Sequence, residues 1–135
     1  MQITLFYIGK PRSREANALA QEYAGRLLHY CRFQMVQLKS EQEAEKRGGR
    51  ALRVVLDPAG EALGSADLAE LIEKAGRDIA FFVGGADGFS PSFRHSADRM
   101  LSLSNMTLPH ELARVILAEQ IYRAFTILRN HPYPR

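Results

Sequence analysis

Tryptophan is absent from this 135-residue chain, and cysteine occurs once, as Cys31. A lone cysteine excludes an internal disulfide and a zinc site built from several thiolates. With no motif around it, Cys31 reads as a structural residue. No apolar run approaches the length of a bilayer span. The start, Met-Gln-Ile-Thr-Leu-Phe-Tyr-Ile-Gly, lacks the charged beginning and cleavage site of a signal peptide, so the expected compartment is the cytoplasm. Internal repeats, low-complexity segments and linkers are missing too, and residues 1–135 are expected to form one domain. There is no Gly-x-Ser-x-Gly elbow, no His-Glu-x-x-His and no Walker A lysine, and no metal site is expected.

What is present is the balance of an ordinary folded protein, 46% hydrophobic and 24% charged residues. The formal charge of +3 leans towards an anionic partner without naming one. Ile3 to Ile8, closed by Gly9-Lys10-Pro11, reads as a buried first strand. Ser13 suits the N-cap of a helix reaching about His29, and Phe33 to Leu38 is a second strand. Ser40 to Arg47 is a short, charged, helix-compatible connection that reads as solvated rather than functional. Leu52 to Leu56 is a third strand, Asp57-Pro58-Ala59-Gly60 a turn, and Ser65 the cap of a helix ending near Gly76. Ile79 to Val83 is apolar at every position, as suits a parallel strand covered on both faces. After Gly84-Gly85-Ala86-Asp87-Gly88, Ser90-Pro91 opens a short helix to about Arg99. Met100 to Leu103 is a fifth strand, and Pro109 introduces the longest helix, His110 to Arg129. Strands alternating with helices predict an α/β domain with a largely parallel sheet.

The last helix is apolar on two sides. Ala113, Leu117, Ile121, Ala124 and Leu128 form one arc, while Leu112, Val115, Ile116 and Tyr122 lie opposite. One side is expected to meet the sheet and the other a second copy of the chain in a homodimer. The alternative is a central helix buried within one chain.

Ligands of open α/β sheets bind beyond the carboxyl ends of the strands. Gly84 and Gly85 free backbone amides there, Gly88 supplies a positive φ, and a side chain at Gly84 is expected to fill the crevice. The mixed segment Leu103-Ser104-Asn105-Met106-Thr107-Leu108 offers backbone polar groups to a flat heterocycle while Leu and Met pack on its faces.

Four strings carry a resemblance: Phe82-Val83-Gly84-Gly85-Ala86-Asp87-Gly88-Phe89-Ser90, Leu101 to His110, Arg114-Val115 with Ala118-Glu119-Gln120-Ile121-Tyr122-Arg123-Ala124, and Asn130-His131-Pro132-Tyr133. In their order and spacing the chain resembles the RlmH (YbeA-like) family of SPOUT methyltransferases. The match is tight from about Leu52 to the end and looser from Gln2 to Leu38.

The resemblance implies a Rossmann-like parallel sheet with a C-terminal deep trefoil knot, an exception to the rule that chains are unknotted. It further implies a homodimer that uses S-adenosyl-L-methionine to methylate N3 of pseudouridine 1915 in 23S ribosomal RNA within the ribosome. The cofactor positions it carries over are Leu56, Gly84, Leu103, Ser104, Asn105, Met106, Thr107 and Leu108. Candidates for assisting loss of the N3 proton are His110 at the helix start and His131, Tyr133 and Arg135 in the tail, which the resemblance places over the partner's cofactor. His110 also suits a plain helix-start role, and the tail a frayed terminus. The sequence departs from the family in two places: the Leu38 to Leu52 connection is much shorter, and Pro134 stands where relatives commonly carry histidine. A non-catalytic ribosomal-RNA-binding protein is the competing reading. It calls for concentrated basic and stacking residues, whereas lysine and arginine are scattered here and tryptophan is absent.

Overall fold

The computed structural model describes residues 1–134. Five strands and five helices follow in the order β1 (Gln2–Ile8), α1 (Arg14–Leu27), β2 (Arg32–Leu38), α2 (Glu41–Glu45), β3 (Leu52–Ala62), α3 (Ser65–Lys74), β4 (Ile79–Val83), α4 (Pro91–His95), β5 (Arg99–Ser102) and α5 (His110–Leu128). The strands pair in parallel in the spatial order β2-β1-β4-β3-β5.

Period-two alternation divides the side chains between two apolar layers. Ile3, Leu5, Val54, Ile79, Phe81 and Val83 face the layer formed with α1, α3 and α5. Phe6, Val55, Ala80 and Phe82 face the layer formed with α2 and α4. Fully burying each Ile, Leu or Phe contributes about 1.5–3 kcal/mol, so β4, with all five residues buried, anchors both layers. On the second face Phe82 meets Phe93 at 5.4 Å, and Phe93 stacks on Phe89 at 4.4 Å. These rings pin the exit of the glycine-rich turn to the core.

The caps follow their local chemistry. Ser13 and Ser90 accept hydrogen bonds from Ala16 N and Phe93 N, as their positions predict. The third helix is capped one residue earlier than expected. Gly64 is its N-cap, Asp67 Oδ2 accepts from Gly64 N at 2.9 Å, and Ser65 Oγ donates to Gln120 Oε1 instead of capping.

Three further expectations are corrected. The Ser40 to Arg47 connection is not merely solvated: Ala44 is fully buried, and the Glu41 carboxylate accepts from Ser90 N and Ser90 Oγ, tying α2 to the start of α4. The Asp57 to Gly60 turn lies inside β3, because Leu56 and Glu61 both pair opposite Leu101 and the four residues between them loop out. Finally, α5 finds both of its neighbours within the chain, α1 on one side and α3 on the other, with the sheet beneath. Its two apolar sides therefore need no second copy to be covered, and only Leu112 of the two arcs remains exposed.

Gly60 is required by close approach. A Cβ there would lie 2.7 Å from the Met100 carbonyl carbon and 2.8 Å from Leu101 N, atoms of a paired strand that cannot rotate away. Gly60→Ala should cost about 3 kcal/mol, the upper end of overpacking penalties, measured as a lower urea midpoint. A wild-type midpoint would show that β5 yields at this crossing.

Candidate functional site

The segments that follow β4 and β5 meet the looped-out part of β3 around one cleft of about 480 Å³, a size that suits a small-molecule ligand. Leu56 and the 57–59 loop form one wall, the 84–88 turn another, and Leu103, Ser104, Met106, Thr107 and Leu108 a third. His110 and Ala113 at the start of α5 complete it. Of the eight cofactor positions carried over by resemblance, all but the exposed Asn105 line this cleft.

Each wall has a local cause. Gly88 N donates to Gly85 O at 3.0 Å, and Gly88 takes φ +68°, a left-handed conformation that closes the turn without Cβ strain. A Cβ on Gly84 would sit 3.1 Å from the Gly88 backbone. A side chain there would also push on the turn itself, beside the cleft that Gly84 lines. In the third wall Ser104 Oγ accepts from Met106 N at 2.9 Å, and Ser102 Oγ donates to Ser104 O at 3.0 Å. That bend leaves Met106 76% exposed, an apolar side chain at the rim of a cleft with other apolar walls.

Two charged residues of the cleft had no signal in the sequence. Asp57 Oδ1 accepts from Ala59 N at 2.9 Å, and Oδ2 lies 3.4 Å from Arg94 Nη1. The pair ties the looped-out part of β3 to α4. No spacing rule connects residues so far apart in the chain, and Asp57 reads from sequence only as a turn residue.

The catalytic candidates are divided. His110 lines the cleft. His131 and Tyr133 lie beyond the other end of α5, and Arg135 lies outside the described residues. Asn130, at φ +53°, ends α5: its N–H donates to Ile127 O, and His131 N donates to Thr126 O. The chain then turns back along the helix. Tyr133 packs edge-on against Tyr122 at 4.8 Å and donates to Glu119 Oε2 at 2.9 Å. Arg123 clamps Glu119 at 2.7 Å and donates to Pro134 O at 2.6 Å. Burial, with the nearby Tyr23 hydroxyl and the Glu119 carboxylate, pushes the Tyr133 phenol well above its usual range. In this arrangement the Tyr133 hydroxyl donates to Glu119 and anchors the tail against α5.

A parallel sheet with a ligand-sized cleft beyond the carboxyl ends of its strands defines an α/β domain with a candidate small-molecule site. The chain matches the family model described as predicted SPOUT methyltransferase over residues 1–134. It is 46% identical, over the full length of both chains, to the ribosomal RNA large subunit methyltransferase H of Solibacter usitatus. Among solved structures, a probable methylase family protein from Haemophilus influenzae superposes with a TM-score of 0.67 at 12% identity, covering 98% of this chain and 70% of that one. The SpoU methyltransferase AviRb from Streptomyces viridochromogenes, solved with AdoMet, superposes with a TM-score of 0.52 at 14% identity, covering 90% and 56%. The chain belongs to the SPOUT methyltransferases and, within them, to the family of ribosomal RNA large subunit methyltransferase H.

Proposed function

We propose that residues 1–135, acting as one domain, use S-adenosyl-L-methionine in this cleft to methylate N3 of pseudouridine 1915 in 23S ribosomal RNA on assembled cytoplasmic ribosomes. The observation that carries the reading is the convergence of seven resemblance-derived positions from three separate segments on one cleft of suitable volume. The residues fit the cofactor. Leu56, Leu101, Leu103, Leu108 and Met106 offer apolar faces for a flat ring, while the 84–88 turn and the Ser104 bend offer backbone donors and acceptors. When bound, the cofactor supplies an electrophilic methyl on a sulfonium centre.

The chain's own contribution is mainly alignment, which supplies much of the rate in such displacements. His110, at the cleft rim, is placed to handle a proton or to hold a base edge. The tail completes the site of a second copy. Tyr133 is fixed at the level of Glu119 and Tyr122, roughly 14–18 Å along α5 from His110 by helix rise. It stands well away from its own cleft, so a catalytic tail requires a homodimer. Half-exposed Ile116 and Ile127, with exposed Leu112, give α5 an outward apolar edge for that contact. The knot implied by the resemblance belongs to the same proposal.

Calorimetric titration with S-adenosyl-L-methionine tests the cofactor assignment. Wild type should bind and Gly84→Ala should bind about tenfold more weakly, since a displaced turn carries an overpacking cost. Gly85→Ala, whose Cβ meets Ile8 no closer than 3.6 Å, should change little. Failure of the wild type to bind would remove the cofactor from the cleft.

A further inference from the structure

The connections on either side of β1 and β4 diverge. From β1 the chain passes through α1, on the face shared with α3 and α5; from β4 it passes through α4, on the opposite face. Neighbouring parallel strands whose helices leave on opposite faces open a crevice beyond their carboxyl ends, the usual ligand position in such sheets. A crevice is present there, beside the cleft already described. Tyr7 after the middle of β1, Lys10, Gly84, His110, Glu111 and Arg114 line it. About 10 Å³ is open to the centre of a water-sized group, room for roughly one oxygen.

Arg114 sets this crevice apart. Its side chain is 2% exposed, and among the described residues it forms no ion pair. Nη2 donates to Asn17 Oδ1 at 2.9 Å, and the guanidinium lies 4.2 Å from the centroid of the Tyr7 ring. Nη1 is buried without a hydrogen-bond partner. Among the described residues, the only carboxylate lining the crevice with it, Glu111, feels the Arg114 charge but is not close enough to pair. A buried guanidinium nitrogen left unpaired is costly to the fold, and an anion relieves that cost.

The surroundings favour an anion. The first hydrogen bond at the N-terminus of α5 runs from Ala113 N to Pro109 O, so the N–H groups of residues 110–112 stand at the positive end of a long helix. Glu111 is the opposing charge. Its Oε1 accepts from Ser13 N at 2.9 Å and Arg12 N at 2.7 Å, contacts that hold its carboxyl below the usual range and commit it to the start of α1. Lys10 and Arg114 then leave the crevice net positive.

We propose that this crevice is a phosphate subsite, taking one non-bridging oxygen of a phosphodiester in the RNA strand that enters the neighbouring cleft. The RNA as source rests on the methyltransferase reading above. Gly84 and His110 line both cavities, so a phosphate held here sits beside the cofactor turn and fixes the strand whose base enters the cleft. Arg114 lines the crevice together with Gly9 and Gly84, which carry no side chains to block an approaching oxygen.

Arg114→Met keeps the stem and removes the charge, while Lys10→Ala trims an exposed rim residue. Each should flatten the plot of log ribosome-binding constant against log KCl by about 0.7–0.9, the value of one phosphate. Arg114→Lys should restore that slope with weaker affinity, because it lacks the planar fork. Cofactor affinity should hold, and the melting midpoint of Arg114→Met should be unchanged or raised, since an unpaired buried charge has been replaced by an apolar chain. A fallen midpoint with an unchanged salt slope would make Arg114 a structural residue and overturn the proposal. Titration of cofactor-free protein with inorganic phosphate, followed by amide NMR, reads the subsite without any methyl transfer. Shifts at residues 84 and 110–112 that vanish in Arg114→Met are expected even if the methylation reading fails. No shifts would overturn the subsite, and shifts with an unaltered ribosome slope would overturn RNA as its occupant.

Discussion

A chain lacking residues 132–135 should bind S-adenosyl-L-methionine normally yet transfer methyl groups to ribosomes about a thousandfold more slowly. The size follows from the kinds of group removed, since positioned donors and proton-handling side chains are each worth roughly two to four orders of magnitude. The separation of binding from turnover follows from geometry. Among the described residues, the cleft is built entirely from segments between Leu56 and Ala113, and the Schellman turn at Asn130 folds the tail back along α5 only to the level of Glu119 and Arg123, short of the cleft. In the proposed homodimer it is the second copy that brings a tail to the cleft. Mixing the tailless chain with a Gly84→Val chain should therefore recover activity that neither has alone, up to about a quarter of wild type when subunits pair at random. A mixture that exchanges subunits and stays inactive would end the idea of a tail acting in trans. A tailless enzyme of normal turnover would leave His131, Tyr133 and Arg135 without a catalytic role.

Much of this arrangement was legible in the residues, and what was not has physical causes. The all-apolar Ile79–Val83 run could only be a strand covered on both faces, and Ser13 and Ser90-Pro91 announce helix starts because their oxygens or ring suit orphan N–H groups. Gly64 and Ser65 were confused because both tolerate the N-cap backbone, and the decision fell to Asp67 reaching back and Gln120 capturing the serine. Periodicity correctly gave α5 two apolar sides, but it does not say what covers them. Here α1 and α3 do, leaving the dimer to rest on the tail geometry and the outward edge. The continuation of β3 past a proline and a glycine was hidden because its cause, the Gly60 contact with β5, lies some forty residues on. Arg114 stood in view inside a recognised string. Its unpaired Nη1 became visible only once burial and partners were known.

Methylation should be about a hundredfold faster on assembled ribosomes than on protein-free ribosomal RNA, an amount equal to roughly 2.7 kcal/mol of additional binding surface. The charge of the chain argues for it. Capture of naked RNA is driven largely by counterion release and needs concentrated positive charge, whereas this chain has 18 basic against 15 acidic residues. Several of those bases are already neutralised at home: Arg26 with Glu22, Lys74 with Glu70, Arg99 with Glu61 and Arg123 with Glu119. Such pairs add little stability, but they remove positive potential from the surface. A single phosphate held by Arg114 can fix the local strand, yet it cannot capture a long RNA by itself. Recognition must then come from shape, from an unpaired base that can be turned into the cleft, and from surface that the assembled particle supplies. The measurement is transfer of labelled methyl to intact ribosomes, isolated large subunits and naked RNA at one salt concentration, since the electrostatic share changes with salt. Intact ribosomes should lead, and naked RNA should trail at all accessible concentrations. Equal rates on the three substrates would mean that the RNA alone carries the whole recognition signal, and the assembled particle would have no part in it.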